Sequence, residues 1–182
     1  MPHNRKKRGL TTVILILMGV SGTGKTTLGT MLSKETGWPF LDGDDFHPAA
    51  NKAKMAAGHP LDDNDRAPWL AILHGKIEEY AQRGEGMIMA CSALKAAYRD
   101  VLRGELSHDT VRFAILTAPK ETIADHLHRR AHEFMNPNLL TSQLDTLEDP
   151  SEDEAWHISV AGTAQESLEQ LNAKLREVGA IA

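Results

Sequence analysis

The chain of 182 residues has one cysteine, Cys91. An internal disulfide framework is thereby excluded, and such sparing use suits a reducing cytoplasm. Nor is there a basic excess: 20 Lys and Arg stand against 25 Asp and Glu, a formal net charge of −5. A nucleic-acid partner normally leaves a basic footprint, so none is expected. An anionic small molecule stays open, because local fields and not the total decide its binding. Apolar runs of membrane-spanning length are missing as well. Arg5-Lys6-Lys7-Arg8 followed by Thr11 to Val20 imitates the charged and apolar parts of a secretory leader. No small-residue cleavage site follows, however, and the apolar stretch is too short for a bilayer. The expectation is a soluble cytoplasmic protein without a membrane partner. Residues 1–9 read as a flexible basic tail and residues 10–182 as a single domain.

What is present is ordinary for a globular protein: 41% hydrophobic and 25% charged residues, in a chain long enough to bury a core unaided. Val13 to Met18 is a continuous, β-branched-rich run, the mark of a strand buried on both faces. A helix is expected from near Lys25, with Leu28, Met31 and Leu32 on one side and Gly37 as its stop. Trp38 to Leu41 gives a short second strand ending in Asp42-Gly43-Asp44-Asp45. Residues 46–65 are polar and punctuated by His47-Pro48, Gly58 and His59-Pro60, and read as a loop-rich insertion. A helix through Trp69, Ile72, Leu73, Ile77 and Tyr80 follows, with Pro68 near its first turn. Met87 to Cys91 and Val111 to Leu116 read as buried strands, residues 120–132 as a polar, basic helix, and Trp156 to Val160 as a last strand. The final helix opens on a capping box, Thr163 with Glu166. Strands alternating with helices predict an α/β fold with a parallel sheet covered on both faces.

Gly19-Val20-Ser21-Gly22-Thr23-Gly24-Lys25-Thr26 matches G-x-x-x-x-G-K-[ST] in full. Each part has a chemical reason. Glycines let the backbone wrap phosphates with successive N–H groups pointing inward, and the following helix turns its positive end to the same anion. Lys25 can bridge β- and γ-phosphates, and the Thr26 hydroxyl can ligate Mg²⁺. The motif lies between a buried strand and an amphipathic helix, the setting that gives it meaning. A nucleoside triphosphate, taken as ATP, is therefore the expected ligand of Gly19 to Thr26 and the adjoining Thr27.

P-loop proteins divide into switches, motors and small-molecule kinases. Guanine-reading switches need Asn-Lys-x-Asp late in the chain, whereas Asn51-Lys52-Ala53-Lys54 comes early and lacks the Asp. Motor-type ATPases place an Asp directly after a buried strand, but Met87 to Ala90 runs into Cys91-Ser92-Ala93-Leu94-Lys95. The carboxylates follow the second strand instead, at Asp42 and Asp44, a placement suited to a kinase for a small acceptor. A non-catalytic nucleotide switch stays open at this point.

Leu41-Asp42-Gly43-Asp44-Asp45-Phe46-His47-Pro48, then Asn51, Lys54-Met55 and Gly58, resembles the gluconate kinase family. So do Pro60-Leu61, Asp63, Asp65-Arg66 and Pro68-Trp69-Leu70, the Cys91 to Lys95 segment with Tyr98-Arg99-Asp100, and Arg130, Phe134-Met135, Ser142-Gln143, Leu147-Glu148 and Pro150. The resemblance implies a three-layer P-loop fold with a mobile lid, similar to nucleoside monophosphate and shikimate kinases. It also implies ATP- and Mg²⁺-dependent phosphorylation of D-gluconate to 6-phosphogluconate, and a homodimer. A kinase for another small acid or polyol is the alternative. The acceptor-binding insertion would lie at about 44–66 and the lid at about 120–142. Where the family usually has Gly-His-Phe in the lid, this chain has His132-Glu133-Phe134.

On that reading Asp44 would accept a hydrogen bond, or the proton, from the attacking hydroxyl, and Asp42 would serve the outer shell of the metal held by Thr26. Arg66, Lys95 and Arg99 are candidates for a substrate carboxylate; Lys95 and Arg99, four apart, would share a helix face. His47 and Asn51 have the same spacing and suit hydroxyls. Lys25 and, from the lid, Arg129 or better Arg130 would neutralise the transferring phosphate. Each charged residue could equally be a solvated surface group. His126, His128 and His132 invite a zinc reading, but lack cysteines or a third ligand nearby, and a solvated lid helix is preferred.

Overall fold

The computed structural model describes residues 9–129 and 137–182. A parallel five-stranded sheet runs in the order β2-β3-β1-β4-β5. Its strands are β1 (Ile14–Met18), β2 (Phe40–Asp42), β3 (Met87–Ala90), β4 (Val111–Thr117) and β5 (Ala155–Ser159). Between them lie α1 (Lys25–Thr36), α2 (Ala49–Ala56), α3 (Asp63–Arg83), α4 (Ala96–Arg103), α5 (Lys120–Arg129) and α6 (Pro137–Thr146), and α7 (Ala164–Glu177) follows β5. No described helix is long and apolar enough to cross a membrane.

The three layers follow from alternation along β1. Ile14, Ile16 and Met18 face a core built with Trp69, Leu73 and Ile77 of α3 and Leu102 of α4. Val13, Leu15 and Leu17 face the opposite way, onto Leu28 and Leu32 of α1 and Leu168, Leu171 and Leu175 of α7. Every β1 side chain is fully buried, so each contributes about 1.5–3 kcal/mol of transfer free energy. Such a strand admits no polar residue on either face. After β1 the chain skips to the sheet edge for β2, returns through β3 beside β1, and only then adds β4 on the other flank. The crevice beyond the C-terminal end of β1 lies at this switch, where open α/β sheets take their ligands.

Two expectations for residues 44–66 need correction. The segment read as loop contains α2, over Ala49–Ala56. Pro48, whose carbonyl accepts from Asn51 and Lys52, starts it, and the helix-forming Ala, Lys and Met that follow outweigh the flanking turn residues. The acidic cluster beyond is a helix start, not a loop: Asp62 accepts from the Asp65 N–H at 2.8 Å while the Asp65 carboxylate accepts from the Asp62 N–H at 2.9 Å. This capping box begins α3 five residues ahead of Pro68, which sits in the second turn and not the first. At α7 the Thr163 hydroxyl takes its half of the expected box, accepting from Glu166 N–H at 3.1 Å.

Candidate active site

The loop from Gly19 to Gly24 leaves β1 and enters α1 through left-handed glycines. Gly22, at φ +86°, could not be any other residue: a Cβ there would lie 2.7 Å from Leu127 Cγ. That contact shows how closely α5 packs on the loop, where Val20, Ile123, Leu140 and Leu144 form a small apolar cluster beneath it. Lys25 Nζ donates to the carbonyls of Gly19 and Val20 at 2.8 and 3.0 Å. Thr23 Oγ1 closes the turn on Val20 O at 2.9 Å, and His126 Nδ1 lies 3.2 Å from Gly22 O, its proton therefore on Nδ1. Beside the loop opens a cavity of about 260 Å³ whose walls include Gly24, Thr27, His126, Arg129, Val160 and Gly162. Glycine-rich loop residues and the apolar Val160 among its walls suit a phosphate chain and a base respectively.

The acidic corner is held against the loop by the strand pairing. Gly43 approaches β3 so closely that a Cβ would stand 2.6 Å from Ala90 O, and Trp69 Nε1 donates to Gly43 O at 2.8 Å. Asp42, ending β2, uses both oxygens: Oδ1 accepts from Asp44 N–H at 3.0 Å and Oδ2 lies 3.5 Å from Thr26 Oγ1. Thr26 and Asp42 thus converge as a hydroxyl and a carboxylate oxygen, hard donors of the kind Mg²⁺ selects. Burial, followed by the Asp42 charge, raises the pKa of Asp44, against the pull of His47 and Lys25. Water still reaches 82% of the Asp44 side chain, so solvent screens much of that upward push.

His47 is defined down to its tautomer. Asn51 Nδ2 donates to Asp65 O at 2.9 Å, which fixes the amide, and its second N–H meets His47 Nδ1 at 3.3 Å. Nδ1 is therefore the acceptor and the ring proton sits on Nε2, the atom facing Asp44 Oδ1 at 3.9 Å. The ring stacks on Trp69 with centroids 4.2 Å apart. Burial lowers its pKa, with Lys52 and Arg66 adding to the effect and Asp44 opposing it. Trp69 was expected only to pack in the core; it also supports the corner.

At the starts of α3 and α4, Arg66 Nη1 donates to Tyr98 Oη at 3.1 Å, and Lys95 Nζ stands 3.2 Å from Asp63 Oδ1. Both cations lie over the Tyr98 ring, 5.6 and 5.5 Å from its centre. The hydrogen bond from Tyr98, then that from Lys95, holds the Asp63 carboxyl below the usual range. Asp63 and Tyr98 organise this pair, and sequence reasoning assigned neither a role; a carboxylate at the first turn of a helix signals only a cap.

Arg99 does not join the pair. Lys95 is the N-cap of α4 and not part of the helix, so the spacing of four does not put the two on one face. The Arg99 guanidinium is buried and bonds Glu154 Oε1 at 2.7 Å and the carbonyls of Ala93 and Glu148 at 2.8 and 2.9 Å. With a further bond to Leu94 O, four of its five N–H donors are used on protein groups around the loop after β3, where Ala93 takes the strained φ of +47°. Cys91 in the same loop is buried, its thiol pushed up to about 12. Arg130 and His132-Glu133 lie outside the described residues. Thr26, Asp42, Asp44, His47 and Asn51 form a chain of contacts beside the loop lysine Lys25, and Arg66 and Lys95 pair around Tyr98 and Asp63.

Comparison with known proteins agrees with this geometry. A family described as AAA domain matches residues 14–150. A gluconokinase of Gluconobacter oxydans is 46% identical over 154 residues, covering 85% of each chain. The crystal structure of a gluconokinase from Sinorhizobium meliloti superposes with a TM-score of 0.81 at 38% identity, over 93% of this chain and 95% of that one. A shikimate kinase from Bacteroides thetaiotaomicron, at 16% identity and a TM-score of 0.60 over 90% of this chain and 98% of its own, shares the fold alone. The chain belongs to the gluconokinase family of P-loop kinases.

Proposed function

We propose that this protein transfers the γ-phosphoryl group of ATP to the 6-hydroxyl of D-gluconate, giving 6-phospho-D-gluconate and ADP. The observation that carries the reading is a P-loop flanked by an acidic corner, Asp42 and Asp44, in a chain that also pairs the cations Arg66 and Lys95 on Tyr98 and Asp63. An acceptor with a hydroxyl at one end and a carboxylate at the other fits between them. Its carboxylate goes to Arg66 and Lys95, and its hydroxyls to Asn51 and the Nε2 proton of His47.

In the transfer, O6 of gluconate bonds to the γ-phosphorus as the bond to the β–γ bridging oxygen breaks. Asp44 accepts the O6 proton, for which its raised pKa is an advantage. Lys25 exchanges its loop carbonyls for phosphate oxygens, and Arg130 supports the departing charge from the lid. Thr26 and, through the outer shell, Asp42 would hold Mg²⁺, which supplies charge neutralisation on the β- and γ-phosphates. The enzyme acts in the cytoplasm, as a homodimer.

A coupled ADP-release assay over gluconate, shikimate, neutral polyols and nucleoside monophosphates tests the reading. Gluconate-dependent turnover that collapses in Lys25→Ala is the expected result. Turnover of another acceptor with none on gluconate would reassign the substrate, and tight ATP binding with no acceptor-stimulated turnover would make the protein a switch.

A further inference from the structure

Helix α6 touches both halves of the site. Two residues beyond its C-terminal end, Glu148 N–H donates to Leu94 O at 2.8 Å and Glu148 Oε1 accepts from Ala96 N–H at 3.2 Å, which fastens the segment after the helix to the loop carrying Lys95. One turn earlier Gln143 reaches the phosphate loop. Its Oε1 accepts from Ser21 N–H at 2.7 Å and its Nε2 donates to Ser21 Oγ at 3.0 Å. The backbone N–H must face an oxygen, so the amide cannot be flipped, and Nε2 is left for the hydroxyl.

Counting hydrogens at Ser21 gives the consequence. Gln143 uses the backbone donor and one lone pair of Oγ. The hydroxyl proton is directed away from the amide that donates to it, and receiving that bond strengthens it as a donor. Ser21 lies in the loop two residues after Gly19, whose N–H donates to Ser92 O at 3.2 Å. The nucleotide cavity is walled instead by Gly22, Thr23 and Gly24.

We propose that Gln143 is a positioning residue that aims the Ser21 hydroxyl proton at the phosphoryl group in transfer. This rests on the phosphotransferase reading above. In the loose transition state negative charge spreads over the equatorial oxygens, and a preset donor in the phosphate loop stabilises it without reorganisation.

Three variants test this: Ser21→Ala, Gln143→Glu and the double. Gln143→Glu keeps the grip on Ser21 N–H but its second oxygen can only accept, so it pulls the hydroxyl proton away from the cleft. Each single variant should lower kcat about tenfold or more, with the gluconate KM and ADP affinity within about twofold and Tm unchanged. The double should lose no more than Ser21→Ala alone. Wild-type kcat in Ser21→Ala, or a Gln143→Glu loss that adds in full to it, would overturn the proposal. The ³¹P resonances of bound ATP give a readout independent of turnover. The γ signal should move in both single variants and the α signal stay, and an unmoved γ signal also overturns it. Absence of gluconate turnover in the wild type would count against the substrate reading and leave the ³¹P result to decide this one.

Discussion

His47 Nε2 faces Asp44 Oδ1 across 3.9 Å, and Asn51, by occupying Nδ1, ensures that the atom facing the carboxylate carries the proton. The pair therefore resembles a donor held ready beside a base, and Trp69 keeps the ring from turning.

The first prediction sets activity against stability at Asp44. Burial and Asp42 raise its pKa, so the folded state binds a proton more readily than the unfolded chain, and the charge costs stability above the folded pKa. In the metal-free protein its carboxyl should titrate above the ordinary value of 3.8, as followed by ¹³C NMR, and higher still in His47→Gln, where an opposing interaction is lost. At neutral pH Asp44→Asn should lower kcat by about 10²–10⁴ while Tm stays level or rises. A lower Tm would mean that the carboxylate supports the fold and not the chemistry.

Thr26 and Asp42 supply the second. If their oxygens serve one cation, Thr26→Ala should raise the Mg²⁺ concentration for half-maximal activity by about 10- to 100-fold, and Asp42→Asn by a similar factor. Their combination should fall short of the product, since both act on the same ion. Titrating activity with Mg²⁺ at saturating ATP checks this; an unchanged Mg²⁺ requirement in both would place the metal elsewhere.

What the chain discloses about itself depends on how far apart the interacting residues lie. Gly19 to Thr26 is contiguous and is flanked by a strand with no polar residue, so motif and setting can be read together. Asp42, Asp44, His47 and Asn51 fall within one short stretch and are legible for the same reason. Arg99 is not: its partners Glu148 and Glu154 stand 49 and 55 residues away, and an arginine spaced like a site residue has no local sign that it will be buried. Gln143, 122 residues from Ser21, is invisible for the same cause. Helix α2 was obscured differently, by prolines and histidines that mark its ends and not its interior.

Arg99 carries the third prediction. With 1% of its side chain exposed and its charge matched by Glu154, it cannot be removed without leaving carbonyls and a carboxylate unpaired. Arg99→Ala should cost about 3–5 kcal/mol, lowering Tm by roughly 10 °C. Arg99→Lys should rescue little, because a single ammonium cannot reach Glu154 and the Ala93, Leu94 and Glu148 carbonyls together. Thermal melts of both variants would show it. A near-native Tm with a raised gluconate KM would return Arg99 to the substrate.

Lys95 and Arg66 provide the converse case, cations whose removal should spare the fold. On the proposed reading they hold the acceptor's carboxylate, a part that does not change charge in the reaction. Binding lost there is lost equally from ground and transition states. Lys95→Met and Arg66→Met should therefore raise the gluconate KM by about 10- to 100-fold, the worth of one charged hydrogen bond, and leave kcat within about threefold. The wild-type KM should also climb with ionic strength more steeply than that of either variant, because exposed charge pairs are screened. Asp63, held by Tyr98 and Lys95, offers the opposite sign: Asp63→Asn removes a negative charge beside both cations and should lower the KM for gluconate. Steady-state kinetics at two salt concentrations checks all three variants. A fall in kcat at constant KM in Lys95→Met would move that side chain from the acceptor carboxylate to the phosphate.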